Sequence, residues 1–413
     1  MREGAIHLVV GAGLAGASAA MAMREAGFTG RIVLVGEEKQ PPYDRPPLSK
    51  DVLFAPEPKL PYLHPASRYT EREIDLRTGC RVEEIDREAR RVRLAGGGSF
   101  PYDRLLLATG GRARRLSVPG GESAVCLRSL DDSLRLRRLL EGAPRVAVIG
   151  AGVIGLEIAS SARARGCEVV VVEALAGAMR RAFTPEIALF AESLHREHGV
   201  ELYFEVGIEA IERGAHRSRI VCAGGEIIEA DLVIAGVGME RSLELALAAG
   251  IECDGAILCD EFGRTRRAGR SAVEDVFAAG DVASFWSPRY GQRLMAEHWR
   301  HAQDHGAAVG RAMCGILEPY DEIPWFWTDQ HGVNFQTGGM PLLSERTVLR
   351  GAAETRRFTA FHLLGDRLVG ATTVNDGRNM RPALALIRAG SPVDAEALAD
   401  ERQSLRDILR KAG

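Results

Sequence analysis

Lysine is nearly missing from this 413-residue chain: only four of its 53 basic residues are lysines (Lys39, Lys50, Lys59 and Lys411). Where guanidinium is the default, a compact, strongly hydrated ammonium marks a position that asks for one. Paired cysteines are missing too. The seven cysteines (Cys80, Cys126, Cys167, Cys222, Cys253, Cys259 and Cys314) are odd in number and scattered, with neither C-x-x-C nor C-x-x-x-x-C spacing. That excludes a zinc ribbon and a redox disulfide, leaves no metal-ligand set, and predicts reduced thiols in a cytoplasmic protein. No apolar run approaches the roughly 20 residues of a membrane-spanning helix. The stretch from Arg2 to Met23 is broken by glycines and stopped by Arg24-Glu25, so it does not read as a signal peptide. Neither sign of charge dominates. A net charge of −3 argues against nucleic acid or a membrane surface as partner. What remains is a soluble globular chain long enough for about three domains.

Glycine, by contrast, is abundant and patterned. Leu8-Val9-Val10 runs into Gly11-Ala12-Gly13-Leu14-Ala15-Gly16, and Val146-Ala147-Val148-Ile149 into Gly150-Ala151-Gly152-Val153-Ile154-Gly155. Each G-x-G-x-x-G opens a small-residue helix, and each is followed by a second apolar run closed by an acid: Ile32–Gly36 by Glu37, Val169–Val172 by Glu173. The first glycine makes the turn out of the strand, the second lets backbone approach a pyrophosphate, and the third brings helix and strand together. The helix N-terminus supplies N–H groups to the phosphates and the acid takes the ribose hydroxyls. One such motif is weak evidence; two in the same context imply two dinucleotides, most simply a flavin and a nicotinamide.

Along the chain, strand–turn–helix–strand is predicted for residues 6–37, with the helix from Ala15 to about Ala26. Four prolines stiffen the loop Gln40–Asp51, which holds Arg45 and Lys50. A fixed ammonium at Lys50 would favour the reduced, anionic forms of a flavin ring. Strands follow at 74–77, 80–82, 91–94 and 105–107, the last ending in Ala108-Thr109-Gly110-Gly111, small residues where a strand meets a ligand crevice. Residues 145–237 form the second nucleotide unit, closed at Gly238. The run Val273–Ala279 ends in Gly280-Asp281, predicted at the head of a helix, with the carboxylate free for ligand hydroxyls. A helix is expected over 297–314, antiparallel strands at 358–364 and 367–374, and a closing helix at about 394–411. Past residue 318 the charges nearly balance, so no docking patch can be read there.

Together these residues resemble the two-dinucleotide flavoproteins of the glutathione reductase type. Pro46-Pro47-Leu48-Ser49-Lys50, Gly155-Leu156-Glu157, Glu297-His298-Trp299 and Trp325-Phe326-Trp327-Thr328-Asp329-Gln330 narrow the likeness. It becomes a resemblance to NADH-dependent ferredoxin reductases of oxygenase systems, the putidaredoxin reductase and biphenyl dioxygenase reductase type. The resemblance covers essentially the whole chain. It implies an α/β fold of two Rossmann-like dinucleotide-binding domains, FAD and NAD, plus a smaller α+β C-terminal domain with antiparallel strands. Residues 1–113 and 238–317 would form the FAD domain, 114–237 the NAD domain, and 318–413 the C-terminal domain. By similarity Gly11, Gly13, Ala15 and Gly16 would hold the FAD pyrophosphate and Glu37 its ribose. Arg45, Lys50, Val82, Ala108, Thr109, Gly110, Arg128, Gly280, Asp281, Glu297, His298 and Trp299 would complete the flavin site. Gly150, Gly152, Val153, Ile154, Gly155 and Gly238 would frame the NADH phosphates, Glu173 its ribose, and Glu157 the nicotinamide carboxamide. Lys50, Glu157 and Trp299 would act at the reacting centre, with Lys50 and Glu157 meeting there although distant in sequence.

The implied activity is NADH:ferredoxin reduction: hydride from NADH to FAD, then single electrons to a transiently bound [2Fe–2S] ferredoxin that feeds a Rieske oxygenase or a cytochrome P450. The enzyme would be a monomer or weak homodimer. Disulfide reductases of this fold carry cysteine after the second strand, whereas residues 38–79 contain none, so electrons would leave through the flavin edge. A second departure is Arg300-His301-Ala302-Gln303-Asp304-His305, more cationic than expected beside a flavin. Two alternatives keep the flavin: a rubredoxin reductase or NADH oxidase of the same fold, or an apoptosis-inducing-factor-like protein with a non-catalytic role.

Overall fold

Short β-branched runs fix the strands. Ile6–Val10, Arg31–Val35 and Arg145–Ile149 are buried on both faces after their first residue, the pattern of a parallel sheet covered by helices on both sides. The computed structural model describes residues 4–214, 217–266 and 272–412. They form two compact units. One takes the chain as far as Arg45, then Pro61–Arg112 and Met239–Glu322; the other takes Pro46–Leu60, Ala113–Gly238 and the chain from Ile323.

In the first unit Ile6–Val10 lies between Arg31–Val35 and Arg104–Leu107, parallel to both. Ile74–Arg77 and Ala272–Ala278 extend the parallel sheet on either side. A central first strand is the order of a mononucleotide-binding half, and it opens a crevice at the carboxyl ends of the strands. Arg264–Arg266, Ile257–Cys259, Ala283–Ser287 and Gln292–Leu294 bring this sheet to nine strands. The helix Leu14–Glu25 is built largely of alanine and glycine because the helix Trp299–Met313 crosses it at backbone distance. A Cβ on Gly306 would sit 2.2 Å from the Ala15 carbonyl oxygen, and one on Gly310 2.4 Å from that of Ala19.

The second unit repeats the plan. Val200–Tyr203, Glu168–Val172, Arg145–Ile149, Leu232–Ala235 and Val125–Cys126 form a parallel sheet in that order. A five-stranded antiparallel sheet follows, ordered Trp325–Gln330, Val333–Gly339, Arg367–Val374, Arg357–Leu364, Arg346–Ala352. Phe183, Phe190, Phe335 and Phe358 meet edge to face, so these two sheets share one apolar core that also takes in Leu53 of the proline-rich segment. Two local expectations are corrected. Gly280-Asp281 opens a single 3-10 turn, Gly280–Val282, that runs into the strand Ala283–Ser287 rather than an α-helix. The closing helix is two helices, Ala395–Ala399 and Leu405–Ala412. Between them the Asp400 carboxylate accepts the Arg402 backbone N–H at 3.0 Å, a local bond that competes with helix continuation.

Candidate functional site

The two glycine loops have the same geometry. Gly11 and Gly150 take φ of +111° and +105°, and a Cβ on either would lie 2.1 Å and 2.5 Å from the carbonyl oxygens of Ala108 and Gly236. A Cβ on Gly16 or Gly155 would lie 2.0 Å and 2.1 Å from the oxygen of the first glycine. Gly13 and Gly152 face open space, with nothing within 4 Å. They cap the helices Leu14–Glu25 and Val153–Ala164 without any side-chain cap, and neither helix has an acid in its first turn. Closed first and third glycines with an open second leave N–H groups facing room for a pyrophosphate, so both loops fit a dinucleotide.

Strand register brings further predicted residues to the edge beside the first loop. Val10 pairs with Val35 and with Leu107, and Leu107 with Ala278. Gly11, Glu37, Ala108-Thr109-Gly110 and Gly280-Asp281 therefore all follow the carboxyl ends of adjacent strands, and a Cβ on Gly280 would meet the Ala15 side chain at 2.8 Å. Thr109 Oγ1 donates to the Ser242 carbonyl at 3.0 Å. Arg45 pairs with Glu38 at 2.7 Å, and Trp299 Nε1 donates to Asp44. Arg241, which the sequence did not single out, donates to the Asp281 carbonyl at 2.8 Å and to the Glu297 carboxylate. Glu37 is exposed and 3.6 Å from Arg81; Val82 is buried in the small antiparallel sheet. Arg128 and Lys50 belong to the second unit.

In that unit Ile149 pairs with Val172 and Ala235, which sets Gly150, Glu173 and the turn leading to Gly238 at one edge. Glu173 accepts the backbone N–H of Ala151 inside the loop at 2.8 Å and that of Leu175 at 2.9 Å. Val153 and Ile154 form the helix's first turn. Two residues beyond the third glycine stands Glu157, 2% exposed.

Lys50 and Glu157 do meet: Nζ lies 2.9 Å from Oε1, with Lys50 12% exposed. Both sit in the same compact unit, because Pro46–Leu60 belongs with the second nucleotide half. The proline-rich segment delivers them through a 3-10 turn, Pro46–Ser49, and a short helix, Asp51–Phe54. Ser133 Oγ donates to the Leu48 carbonyl and Ser161 Oγ to that of Ser49, at 2.7 and 2.6 Å. Ser49 Oγ donates to Glu157 Oε2, and Thr328 Oγ1 to Oε1 at 2.6 Å. The carboxylate thus takes one donor on Oε2 and two on Oε1, which leaves room on Oε2 for one more. Asp329 lies 4.0 Å from Lys50 and the Trp327 ring 6.0 Å. Ser49 and Thr328 fall within sequence motifs that assign them no role; only the fold brings them to Glu157.

The histidine segment is not the cationic patch its composition suggests. His298, His301 and His305 lie in the first unit, where burial lowers the first and last from the usual 6.5 to about 4 and about 3. Burial and the neighbouring histidines put His301 well below 6.5 too. His301 and His305 pack around Phe285 and Tyr320 as aromatic rings, while Arg300 is neutralised by Asp304 at 2.6 Å. Among the described residues all seven cysteines are unpaired, no group of His, Cys, Asp and Glu is arranged to hold a metal, and no helix is long and apolar enough to cross a membrane.

A family model described as pyridine nucleotide-disulphide oxidoreductase matches residues 6–306, and one described as reductase C-terminal matches residues 325–409. Over 406 residues the chain is 38% identical to the anthranilate 1,2-dioxygenase system ferredoxin–NAD(+) reductase component of Burkholderia cepacia, spanning 97% of this chain and 98% of that one. It is 34% identical to the rhodocoxin reductase of Rhodococcus erythropolis, over 95% and 92% of the two chains. Its fold matches a chain of the covalent putidaredoxin reductase–putidaredoxin complex with a TM-score of 0.93 at 33% identity, over 100% and 99% of the two chains.

Proposed function

This chain belongs to the pyridine nucleotide-disulphide oxidoreductase family and is an FAD-dependent ferredoxin–NAD(+) oxidoreductase, and from that premise we propose that it takes hydride from NADH and passes electrons one at a time to a small [2Fe–2S] ferredoxin serving a Rieske oxygenase or a cytochrome P450. Bound FAD supplies the conversion from an electron pair to single electrons. The observation that carries the one-electron exit is the pairing of two open glycine loops with a thiol-free stretch at 38–79: the chain has room for two dinucleotides and offers no cysteine there to receive the electrons.

In this reading the first unit holds FAD through the Gly11–Gly16 loop, Glu37, Arg45, Thr109 and Asp281, and the loop at Gly150–Gly155 holds the NADH pyrophosphate. Residues 114–237 and 318–413 act as the NAD-binding and C-terminal domains. Glu173 receives ribose hydroxyls on lone pairs not used by Ala151 and Leu175. Glu157, held by Lys50, Ser49 and Thr328, accepts the nicotinamide amide N–H on Oε2. Lys50 places positive charge where negative charge grows on reduction. The partner is met transiently by a monomer or weak homodimer in a reducing cytoplasm, which suits seven unpaired thiols.

The test is steady-state turnover with NADH and a [2Fe–2S] ferredoxin. Saturable, carrier-dependent electron transfer is expected. Rapid NADH oxidation in air with no carrier and none added by ferredoxin would point to an oxidase instead.

A further inference from the structure

A line of buried polar side chains runs outward from Glu157 through the second unit. Thr328 Oγ1 lies 2.6 Å from Glu157 Oε1, and Gln330 Nε2 3.1 Å from Thr328 Oγ1. His195 Nε2 lies 2.9 Å from Gln330 Oε1, and His331 Nε2 3.1 Å from His195 Nδ1. Thr328, Gln330 and His195 are 0% exposed. Thr328 and Gln330 alternate on the strand Trp325–Gln330 and so share a face. His195 comes from the helix Pro185–Glu197. His331 begins the turn after the strand, where its backbone N–H donates to Ser160 Oγ at 2.8 Å and its ring stacks on His198 at 4.2 Å.

The direction of every proton in this line follows from its inner end. A carboxylate only accepts, so the single hydroxyl proton of Thr328 points at Glu157. Thr328 Oγ1 must then accept from Gln330, which turns the amide nitrogen inward and the amide oxygen toward His195. His195 Nε2 therefore carries a proton. Burial keeps this ring neutral, its value lowered to about 4, so Nδ1 is bare and His331 Nε2–H donates to it. Four donors in series point at one carboxylate, each polarising the next.

We infer that Gln330, His195 and His331 are positioning residues for Glu157, locking the Thr328 proton onto Oε1 so that Oε2 stays turned toward the nicotinamide amide. This rests on the reading of Glu157 as the nicotinamide ligand. Without Gln330 the Thr328 hydroxyl is free to rotate, and the carboxylate loses one of its three fixed donors.

The test measures KM for NADH and kcat with ferricyanide on FAD-loaded protein, alongside FAD content and Tm. Gln330→Met and His195→Phe, near-isosteric and without the donors, should each raise KM roughly three- to tenfold, the worth of one net hydrogen bond, with kcat and FAD content within about twofold. His195→Gln, which returns an N–H toward Gln330, should bring KM back toward wild type. On a Thr328→Val background His195→Phe should add nothing, because the line acts only through that hydroxyl. Should His195→Phe not fold, His331→Phe at the half-buried outer end carries the same expectation with a smaller rise. A lower Tm with unchanged KM, or effects that add on the Thr328→Val background, would overturn the inference. Glu157→Ala is measured in the same series. If it raises KM and the outer variants do not, the positioning line alone fails; if it leaves KM unchanged, the reading of Glu157 fails and the line falls with it.

Discussion

Replacing Lys50 by Met keeps most of the unbranched side chain and removes its charge beside a carboxylate that is 2% exposed. Two unit charges about 3 Å apart attract by roughly 5 kcal/mol at an effective dielectric of about 20, but burial has already cost both ions much of that. The measurable quantity is the penalty of stranding one partner, about 3–5 kcal/mol for a fully buried pair. Lys50 is 12% exposed and the Ser49 and Thr328 hydroxyls stay on Glu157, so we expect a loss at or just below the bottom of that range, about 2–3 kcal/mol. Asp329, 43% exposed at 4.0 Å, adds little through solvent. Urea unfolding of the FAD-saturated protein reads this loss directly. Lys50→Met/Glu157→Gln should recover it to within about 1 kcal/mol, because an amide leaves no stranded charge. Rapid-mixing kinetics then separates the roles: reduction by NADH should slow at least about tenfold in Lys50→Met and remain slow in the stabilised double variant, with a lowered flavin midpoint potential. A stability loss under about 1 kcal/mol would make the pair no better than a surface bridge. Reduction at the wild-type rate in both variants would reduce Lys50 to a structural role and refute the assignment.

Glu173 should make the enzyme prefer NADH over NADPH by at least about tenfold in kcat/KM, about 1.4 kcal/mol. Its carboxylate already occupies the loop, and Arg180 and Arg181 are exposed; equal or better use of NADPH would overturn this. Substituting all seven cysteines by Ser or Ala should leave NADH–ferricyanide reduction nearly intact wherever the protein folds. A selective loss above tenfold from one thiol with flavin still bound would restore a catalytic cysteine. His305, fully buried and lowered from 6.5 to about 3, binds a proton in the unfolded chain before it does in the native one. Stability should therefore fall as pH drops from about 6.5 toward 3. In urea titrations across that window His305→Phe should flatten the slope by up to about 1.4 kcal/mol per pH unit, and an unchanged slope would mean that the ring is protonated in the native protein.

The parts of the fold legible in the sequence are those where a residue answers a constraint within a few positions of itself. Gly11 and Gly150 are glycines because their turns need positive φ and the next strand's carbonyl stands where a Cβ would go. The runs 358–364 and 367–374 are legible as antiparallel strands and fall within Arg357–Leu364 and Arg367–Val374, and acids closing apolar runs mark Glu37 and Glu173. Legibility failed where a distant partner decides. Composition made 298–305 look cationic, but charge depends on burial, and it is Phe285 and Tyr320 that bury the histidines. Nothing near His195 in sequence announces Gln330, which is 135 residues away.

Lys50 lies between these cases. Its scarcity flagged the position without naming its partner, and the fold supplies the reason for the signal. Lys39, Lys59 and Lys411 are exposed, where arginine would serve as well. Lys50 alone is drawn inward, onto a carboxylate oxygen shared with the Thr328 hydroxyl. A planar guanidinium presents its donors as a fork suited to both oxygens of a carboxylate, whereas here Ser49 already holds Oε2 and Oε1 is shared with Thr328; a compact ammonium on a flexible stem suits that single point better. The rarity of lysine in this chain is therefore informative in one direction only. It identifies where a point charge is required, and the requirement itself comes from Glu157, which is set two residues past Gly155, the glycine that lets its helix close onto the first turn of the loop.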